Sequence, residues 1–372
     1  MLTVLSVFGT RPEAIKMAPV IQALNNNSDS IHSVVCVTAQ HRHMLDQVLE
    51  IFNIEPNYDL NLMKKRQTLT ELTARVMLSL EPIFEEVKPD WILVQGDTTT
   101  VMAVSLVAFY NDIKVGHVEA GLRTNNKRSP FPEEINRRIA SVIADLHFAP
   151  TKSSHLSLLA EGIPEKSIKV TGNTVIDALL WVRDIVCQQP PSLPGGLIEK
   201  IAGKHLILVT GHRRESFGIE FENICRALRV LAKDNADICI VYPVHLNPNV
   251  QEPVYRILGD VDQVELIDPL PYTSFVWLMD QAYLILTDSG GVQEEAPSLG
   301  KPVLVMREVT ERAEGIAAGN ACLVGTDQNK IINKTRELLI DNKLYQQMGS
   351  AINPYGDGKA AGRIVDSLLA YK

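Results

Sequence analysis

The segment LILTDSGGVQEEAPSLGKPVLVM, residues 284–306, contains a strand, a turn, a short helix and a second strand in succession. Residues 284–286 are continuously apolar, as expected for a parallel strand that is covered on both faces. Gly290 and Gly291 leave the N–H groups of the first helical turn accessible to an anion, and Ser289 is placed to cap the helix. The segment therefore indicates a turn that binds a phosphate or diphosphate.

The helix that follows this turn carries two acidic residues. Glu294 and Glu295 only accept hydrogen bonds when they are ionised, so whichever of them faces the ligand would suit a ribose diol. Gly300 and Pro302 end the helix. The pattern matches neither the Walker loop nor the GxGxxG dinucleotide fingerprint. From this segment alone, a nucleotide-binding turn and a purely structural turn are equal alternatives.

Length and composition predict a soluble protein of two domains. The chain has 372 residues, of which 45% are hydrophobic and 22% charged. Its net charge of −8 argues against nucleic acid as the main partner, because no basic stripe is present to neutralise phosphates. The cysteines show no CxxC spacing, so we expect neither a disulfide nor a zinc site. No apolar run reaches membrane-spanning length, and we expect a cytoplasmic protein.

Apolar runs that alternate with helical patterns predict parallel strands joined by crossover helices, an α/β fold. The predicted strands of the first half include residues 3–8, 33–38, 91–94 and 114–118. Open sheets of this kind bind ligands at the carboxyl ends of their strands. Arg11 and Lys16 follow the first strand and would provide cations at this edge.

Acidic residues recur at the same predicted edge. Asp97 and Glu119 each follow an apolar strand, and Glu133 and Glu134 lie in the first turn of a helix, where acids are favoured in any case. Asp97 alone could serve only as a helix N-cap. Like charges gathered at a ligand-binding edge have an energetic cost that a purely structural scheme would avoid. The group of acids therefore favours a catalytic role.

The second half of the chain repeats the strand and helix alternation. A strand at residues 205–210 precedes His212 and Arg213, and a strand at 238–243 precedes His245. A capping or packing role for His212 is an equal alternative to a functional one. Phe275 lies in a helix of mixed aromatic and aliphatic residues, where core packing is the more common outcome and base stacking the less common one.

Nine segments of the chain, taken in order, resemble the non-hydrolysing bacterial UDP-N-acetylglucosamine 2-epimerases, and the resemblance spans nearly the whole chain. The segments are GTRPEAIKMAP (9–19), TAQHRHMLDQVL (38–49), QGDTTT (95–100), GHVEAGLRT (116–124), SPFPEE (129–134), TGNTVIDAL (171–179), GHRRESFG (211–218), VHLNPNV (244–250) and TDSGGVQEEAPSLGKPVLVMR (287–307).

The resemblance implies a GT-B architecture of two Rossmann-like domains that face each other across a cleft. The N-terminal domain would comprise residues 1–170 together with a C-terminal helix, 355–372, that crosses back to it. The UDP-binding domain would comprise residues 171–354. The resemblance further implies a homodimer.

The implied reaction is reversible epimerisation at C2 of UDP-GlcNAc to UDP-ManNAc, which supplies ManNAc-type sugars for cell-surface polysaccharides. The C2 hydrogen has no adjacent carbonyl, so simple proton abstraction is implausible. Departure of UDP from C1 acidifies this hydrogen and gives 2-acetamidoglucal, to which UDP and a proton return. Neither a cofactor nor a metal is expected. The residues that match the family's catalytic groups are Asp97, Glu119, Glu133 and His212.

The resemblance also assigns two sets of binding residues. The substrate set comprises Arg11, Ser289, Gly290 and Gly291 for the diphosphate, Glu295 for the ribose, Leu270 and Phe275 for the uracil region, and Lys16. A second, regulatory UDP-GlcNAc would be held by Gln40, His41, Arg66, Arg213 and His245. His43 and Ala313 depart from the residues that are usual in the family.

Three alternatives share some of these features. A GT-B glycosyltransferase that uses a UDP-sugar would have the same fold and the same glycine turn, but it would require an acceptor. A hydrolysing epimerase would release free ManNAc and UDP. A non-catalytic sensor of UDP-sugars would bind the same ligand without converting it.

Overall fold

The computed structural model describes residues 1–38, 42–62, 64 and 67–371, and for residues 42–44 it describes the backbone only. The chain divides into two compact units. Unit 1 comprises Met1–Ala178 and Tyr355–Lys372, and unit 2 comprises Leu179–Pro354.

Unit 1 alternates strands and helices along the chain. Its strands are β1 (Leu2–Phe8), β2 (Ile31–Val37), β3 (Tyr58–Asp59), β4 (Trp91–Gln95), β5 (Lys114–Val118), β6 (Leu146–Ala149) and β7 (Ile168–Val170). The helices between and after them are α1 (Arg11–Asn25), α2 (Arg42–Ile51), α3 (Leu69–Val87), α4 (Thr99–Tyr110), α5 (Glu133–Ile143), α6 (Lys152–Ala160) and α7 (Thr174–Gln188), the last of which continues into unit 2.

Within the described part of unit 1, seven parallel strands form one sheet in the order β3-β2-β1-β4-β5-β6-β7. Strand order reverses between β1 and β4, so the loops that follow these strands diverge and leave a crevice at their carboxyl ends. The central strands are buried on both faces, which explains their continuous apolar runs.

The helices α1 and α3 begin with a reciprocal cap that is visible in the sequence. The hydroxyl of Thr10 accepts a hydrogen bond from the backbone of Glu13, whose carboxylate accepts one from the backbone of Thr10. Thr68 and Glu71 make the same pair at the start of α3. A Thr-x-x-Glu motif satisfies two N–H groups that would otherwise lack partners, and such caps contribute about 1 kcal/mol each.

Unit 2 has a second doubly wound sheet. Its strands are β8 (His205–Thr210), β9 (Ile238–Pro243), β10 (Val264–Ile267), β11 (Leu284–Thr287), β12 (Val303–Val305) and β13 (Ala321–Leu323). Its helices are α8 (Leu197–Ile201), α9 (Ile219–Asp234), α10 (Pro248–Leu258), α11 (Tyr272–Gln281), α12 (Gly290–Glu295), α13 (Ala313–Ala318), α14 (Gln328–Ile340) and α15 (Asn342–Gly349). Across the described residues of this unit, the parallel strands lie in the order β10-β9-β8-β11-β12-β13, which reverses between β8 and β11.

The last helix, α16 (Ala360–Leu369), returns to unit 1, where it packs against α1. The carboxylate of Asp177 in α7 accepts hydrogen bonds from the backbone N–H groups of Ala360 and Ala361, at 3.2 and 2.9 Å. The prediction of two Rossmann-like α/β domains with a C-terminal helix that returns to the first is confirmed. Among the described residues, no helix combines the length and the apolar composition needed to cross a membrane.

A buried histidine on β5 predicts how the stability of the protein depends on pH. The Nε2–H of His117 donates to the carbonyl of Gly96 at 2.7 Å, while Nδ1 is buried and has no hydrogen-bond partner in the part of the chain that the structure describes. Burial lowers the pKa of His117 to about 4. The folded state therefore disfavours protonation, and stability declines as the pH falls from 6.5 towards 4. Because one pKa unit corresponds to about 1.4 kcal/mol, we expect this decline to reach about 3 kcal/mol.

His117→Gln keeps a donor for Gly96 and removes the titrating ring, so the midpoint of urea unfolding should fall less between pH 7 and pH 4.5 than it does in the wild type. His32→Gln, at an exposed position of β2, is the control and should retain the wild-type pH dependence. Equal acid sensitivity in all three proteins would show that His117 does not contribute.

Candidate active site

The crevice of unit 1 collects the residues that follow β1, β4 and β5. A carboxylate that lies just beyond β5 is at its centre. Lys16 Nζ lies 2.7 Å from Oε1 and 2.5 Å from Oε2 of Glu119. Gln95 Nε2 also donates to Oε2, and Asn173 Nδ2 donates to Oε1 at 3.1 Å. Both oxygens of Glu119 therefore accept hydrogen bonds, which suits a carboxylate, a group that only accepts when it is ionised.

The backbone of Glu119 is in the left-handed region, with φ of +63°. A non-glycine residue in this region is uncommon, and such strain of about 1–3 kcal/mol persists only where the surroundings hold the residue in place. The contacts of its side chain with Lys16, Gln95 and Asn173 provide that constraint. Strained backbone at a carboxylate with several partners is typical of a functional site.

Asp97 forms an ion pair rather than a helix cap. Arg137 donates from Nε to Oδ2 of Asp97 at 2.9 Å, and its Nη2 lies 2.7 Å from the same oxygen. The N-cap of α4 is Thr98, whose hydroxyl accepts from the backbone of Val101. The capping alternative for Asp97 is therefore wrong, because the helix begins one residue later than that alternative requires. The Asp97 carboxylate is therefore not used to cap α4.

The other end of Arg137 is fixed by a fully buried carboxylate. Arg137 Nη1 donates to Oε2 of Glu134 at 3.1 Å, and the N–H groups of Thr124 and Asn125 donate to Glu134 at 3.0 and 3.1 Å. Burial raises the pKa of Glu134, but these hydrogen bonds outweigh burial and hold the pKa below its usual range. Glu134 thus positions Arg137, which in turn positions Asp97.

Glu133 is the first residue of α5 and is partly exposed. Its Oε2 is nevertheless buried and has no hydrogen-bond partner among the described residues. A buried carboxylate oxygen without a donor is costly, so its presence here suits a group that meets a ligand. The structure therefore brings Asp97, Glu119 and Glu133 to the same edge of the sheet in unit 1.

The sequence interpretation missed Glu13, which holds two loops of this crevice together. Its Oε2 accepts from the N–H groups of Gly9 and Thr10 at 3.1 and 2.7 Å, and its Oε1 accepts from the hydroxyl of Thr98 at 2.8 Å. Burial raises the pKa of Glu13 above its usual value, although these hydrogen bonds oppose the shift. Arg11, at the start of α1, is partly exposed beside this loop.

The crevice of unit 2 is organised by a buried aspartate at the end of β11. Oδ2 of Asp288 accepts from the backbone N–H groups of His212 and Arg213, at 2.6 and 2.7 Å. Nδ1 of His212 lies 3.4 Å from Oδ1 of the same carboxylate. The His212 ring stacks on His245, with ring centroids 5.3 Å apart.

Burial lowers the pKa of His212 below its usual value; Asp288 opposes this shift, whereas His245 and Arg213 add to it. His212 is therefore a neutral imidazole at pH 7, oriented from one side by Asp288 and from another by His245. A neutral ring can donate through one nitrogen and accept through the other.

The glycine turn of unit 2 has the predicted position but lacks the predicted side-chain cap. Ser289 occupies the N-cap position of α12, yet its side chain makes no capping hydrogen bond, which corrects the expectation from the sequence. Its backbone N–H instead donates to the hydroxyl of Thr287 at 2.9 Å. A Cβ at Gly290 would lie 3.4 Å from the Arg312 guanidinium carbon, so a cation lies against the turn. Arg312 was not predicted.

The two acids after the turn have different partners. Arg312 Nε donates to Oε1 of Glu294 at 2.7 Å, and the Tyr272 hydroxyl donates to Oε2 of Glu295 at 2.8 Å. Glu295 Oε1 would lie 3.6 Å from a Cβ at Gly291, so it is Glu295 that borders the glycine turn. A ribose contact through Glu295 remains a prediction.

The remaining predicted residues are the two expected to contact the uracil and the regulatory set. Leu270 and Phe275 are partly exposed, and Phe275 is therefore not fully buried in the core. Of the regulatory set, Arg213 and His245 flank His212 in unit 2, whereas Gln40, His41 and Arg66 lie outside the described residues. In the part of the chain that is described, no three His, Cys, Asp or Glu side chains form a group that could hold a metal ion.

Two doubly wound Rossmann-like sheets, each with charged groups at its switch point, define an α/β enzyme of the GT-B-like class. The family model described as UDP-N-acetylglucosamine 2-epimerase matches residues 22–369. The chain belongs to the UDP-N-acetylglucosamine 2-epimerase family, which confirms the resemblance inferred from the nine sequence segments.

Individual relatives agree with this assignment. The chain is 58% identical to the UDP-N-acetylglucosamine 2-epimerase of Salmonella typhimurium over 375 residues, covering 100% of this chain and 99% of the relative. The crystal structure of the Neisseria meningitidis UDP-GlcNAc 2-epimerase bound to UDP-GlcNAc matches with a TM-score of 0.87, 49% identity and complete coverage of both chains. The Methanocaldococcus jannaschii UDP-GlcNAc 2-epimerase in complex with UDP-GlcNAc and UDP matches with a TM-score of 0.78, 34% identity and complete coverage of both chains.

Proposed function

We propose that the protein is a non-hydrolysing epimerase that interconverts UDP-GlcNAc and UDP-ManNAc through 2-acetamidoglucal. In the forward direction the bond between C1 and the diphosphate oxygen breaks, and UDP leaves with the bonding electron pair. The C2 proton passes to an enzyme carboxylate. UDP then adds back to C1, and a proton is delivered to the opposite face of C2, so that atoms and charge balance without a redox cofactor.

The observation that carries this proposal is the group of carboxylates at the carboxyl edge of the sheet in unit 1. Glu119 is held by Lys16, Gln95 and Asn173, while Asp97 is held by Arg137. Positive charge develops at the sugar ring as UDP departs, and fixed carboxylates stabilise such charge and accept a proton. A glycosyltransferase that only transfers a sugar to an acceptor would not need this arrangement of acids.

The binding roles follow from the charges of each unit. In unit 2, the Gly290–Gly291 turn with the Arg312 guanidinium beside it suits a diphosphate, and His212 would donate a hydrogen bond to the leaving phosphate. Glu295 would contact the ribose, and Phe275, with Leu270, the uracil. From unit 1, Arg11 would neutralise the diphosphate, and Lys16 would hold Glu119 in place for the sugar.

The regulatory and biological roles implied by the family resemblance are also part of this proposal. A second UDP-GlcNAc would be bound by Gln40, His41, Arg66, Arg213 and His245, and the stacking of His245 on His212 would link this ligand to the leaving-group histidine. The enzyme would act as a homodimer in the cytoplasm and supply ManNAc-type sugars for cell-surface polysaccharides.

One experiment tests the reaction and separates it from its alternatives. Purified protein is incubated with UDP-GlcNAc in D2O, without NAD and without an acceptor, and followed by NMR. We expect UDP-ManNAc to form and deuterium to appear at C2 of both UDP-sugars, because the C2 proton exchanges with solvent in each turnover. Release of free ManNAc would indicate the hydrolysing reaction, a requirement for an acceptor would indicate a glycosyltransferase, and binding without conversion would indicate a sensor.

A further inference from the structure

Asn173, in the TGNTVIDAL segment, contacts Glu119 from a buried position. The side chain is 2% exposed. Its Nδ2 donates to Oε1 of Glu119 at 3.1 Å, and its Oδ1 accepts from the N–H of Val175 in the first turn of α7, also at 3.1 Å. The Val175 contact requires an oxygen at that position, so it fixes which end of the amide faces the carboxylate.

The same residue is attached to the chain that returns from unit 2. The backbone N–H of Asn173 donates to the carbonyl of Tyr355 at 2.7 Å. Gly172 has φ of +90°, and a Cβ there would lie 3.3 Å from Cα of Gly356. A Cβ at Gly356 would in turn lie 3.4 Å from the backbone N of Asn173. Two glycines therefore let the returning segment approach the backbone on which Asn173 is mounted.

A second attachment lies one turn further along α7. Asp177 accepts hydrogen bonds from the N–H groups at the start of α16, so the returning segment is held on both sides of the first turn of α7. The position of Asn173 thus depends on the carboxyl-terminal chain as well as on its own helix. Glu119 needs such support because its backbone lies in the left-handed region.

We propose that Asn173 is a positioning residue for Glu119, and that the returning segment at 355–356, by holding Asn173, sets the geometry of this carboxylate. The inference rests on the proposed epimerase function, in which Glu119 acts on the sugar. Asn173 orients one oxygen of the carboxylate, while Lys16 and Gln95 also donate hydrogen bonds to the carboxylate. The returning segment therefore contributes to catalysis without supplying a group that reacts.

The charged and titratable groups near Glu119 determine how this can be tested. They include Lys16, from α1, and His117, from β5, whose pKa burial lowers to about 4 and which is therefore neutral during turnover. Asn173→Asp keeps the size of the side chain and the oxygen that accepts from Val175, but it replaces the donor with a second carboxylate. Two carboxylates at hydrogen-bond distance raise the pKa of the pair.

For Asn173→Asp, kcat should fall about 10- to 100-fold, because a misplaced reacting group costs rate while leaving binding intact. KM for UDP-GlcNAc should stay within about threefold of the wild type, since Asn173 does not bind substrate in this scheme. In the pH profile of kcat, the acidic limb should shift by about one unit towards higher pH, because the introduced carboxylate makes Glu119 harder to ionise. Asn173→Ser, whose hydroxyl can still cap Val175, should lower kcat without moving the limb.

Asn111→Asp is the matched control. Asn111 caps the carboxyl end of α4, where its Nδ2 donates to the carbonyl of Val107 at 2.9 Å, at the opposite edge of the sheet from Glu119. It should show wild-type kcat and pH dependence. A wild-type profile in folded Asn173→Asp would overturn the inference, as would loss of folding in both Asn173 variants. A wild type that incorporates no deuterium at C2 would instead overturn the proposed function, and with it this role of Asn173.

Discussion

Replacement of Glu119 by glutamine is expected to lower kcat for epimerisation of UDP-GlcNAc by about 10³-fold, within the range that general acid and base groups contribute. The carboxylate accepts from Lys16, Gln95 and Asn173. A glutamine offers only one acceptor oxygen to these donors and turns its own NH2 towards one of them. It also leaves the ammonium of Lys16 without its anionic partner.

Binding of UDP should change little in Glu119→Gln, because the groups proposed to hold the nucleotide lie mainly in unit 2. The measurement is therefore kcat by coupled assay or NMR, together with the dissociation constant of UDP by calorimetry. Glu161→Gln is a suitable control, since Glu161, like Glu119, is a carboxylate of unit 1 with a cationic partner, which here is Arg123. If Glu119→Gln retained more than about a tenth of wild-type turnover, the carboxylate would not perform the acid and base chemistry assigned to it.

The sequence was sufficient to predict the sheet edge where the acids gather. Apolar runs predicted β1, β4 and β5 nearly to their ends, and in parallel sheets the residues that follow neighbouring strands must lie at one edge. Asp97 and Glu119 were therefore placed correctly before any contact was known. The two-residue strand β3 was missed, because two residues carry no periodic signal.

The side-chain partners at this edge were not predictable in the same way. Asn173 lies 54 positions from Glu119 in the chain, and Arg137 lies 40 positions from Asp97. Such pairs depend on how helices pack on the sheet, which no local pattern reports. Glu13 did have a local signal, since Thr10 and Glu13 form a Thr-x-x-Glu capping motif. The additional role of Glu13 as a contact of Thr98 became visible only in the folded chain.

The misassigned caps have a related cause. Ser289 and Asp97 are both residue types that favour the N-cap, and each precedes a helix. Ser289 leaves α12 without a side-chain cap, while the cap of α4 comes from Thr98. The preference of a residue type for the N-cap does not decide the contact at such a site, where the side chain can face a ligand or a distant partner instead. The N-cap preference of a residue type predicts that a helix begins nearby, whereas tertiary contacts determine which side chain caps it.

Replacement of Asp97 by asparagine is expected to reduce kcat by about 10³-fold with little loss of stability. Arg137 directs both Nε and Nη2 at Oδ2, so Oδ1 receives no hydrogen bond from the described residues. Asparagine can keep its oxygen on Arg137, but it then presents an NH2 group where Oδ1 had been. The variant therefore loses both the negative charge and the acceptor at the position that would face the sugar.

A control at the other end of β4 distinguishes this effect from the general effect of removing a negative charge. Asp90 precedes β4 at the amino edge of the sheet, where its Oδ2 accepts from the N–H of Thr3 at 2.7 Å. Asp90→Asn should turn over UDP-GlcNAc at the wild-type rate, and the thermal midpoints of both variants should lie close to that of the wild type. Deuterium incorporation at C2 should slow by about the same factor as kcat in Asp97→Asn and keep its wild-type rate in Asp90→Asn. Equal turnover in the two variants would mean that the Asp97–Arg137 pair only stabilises the crevice, and that the C2 proton is handled by Glu119 and Glu133 alone.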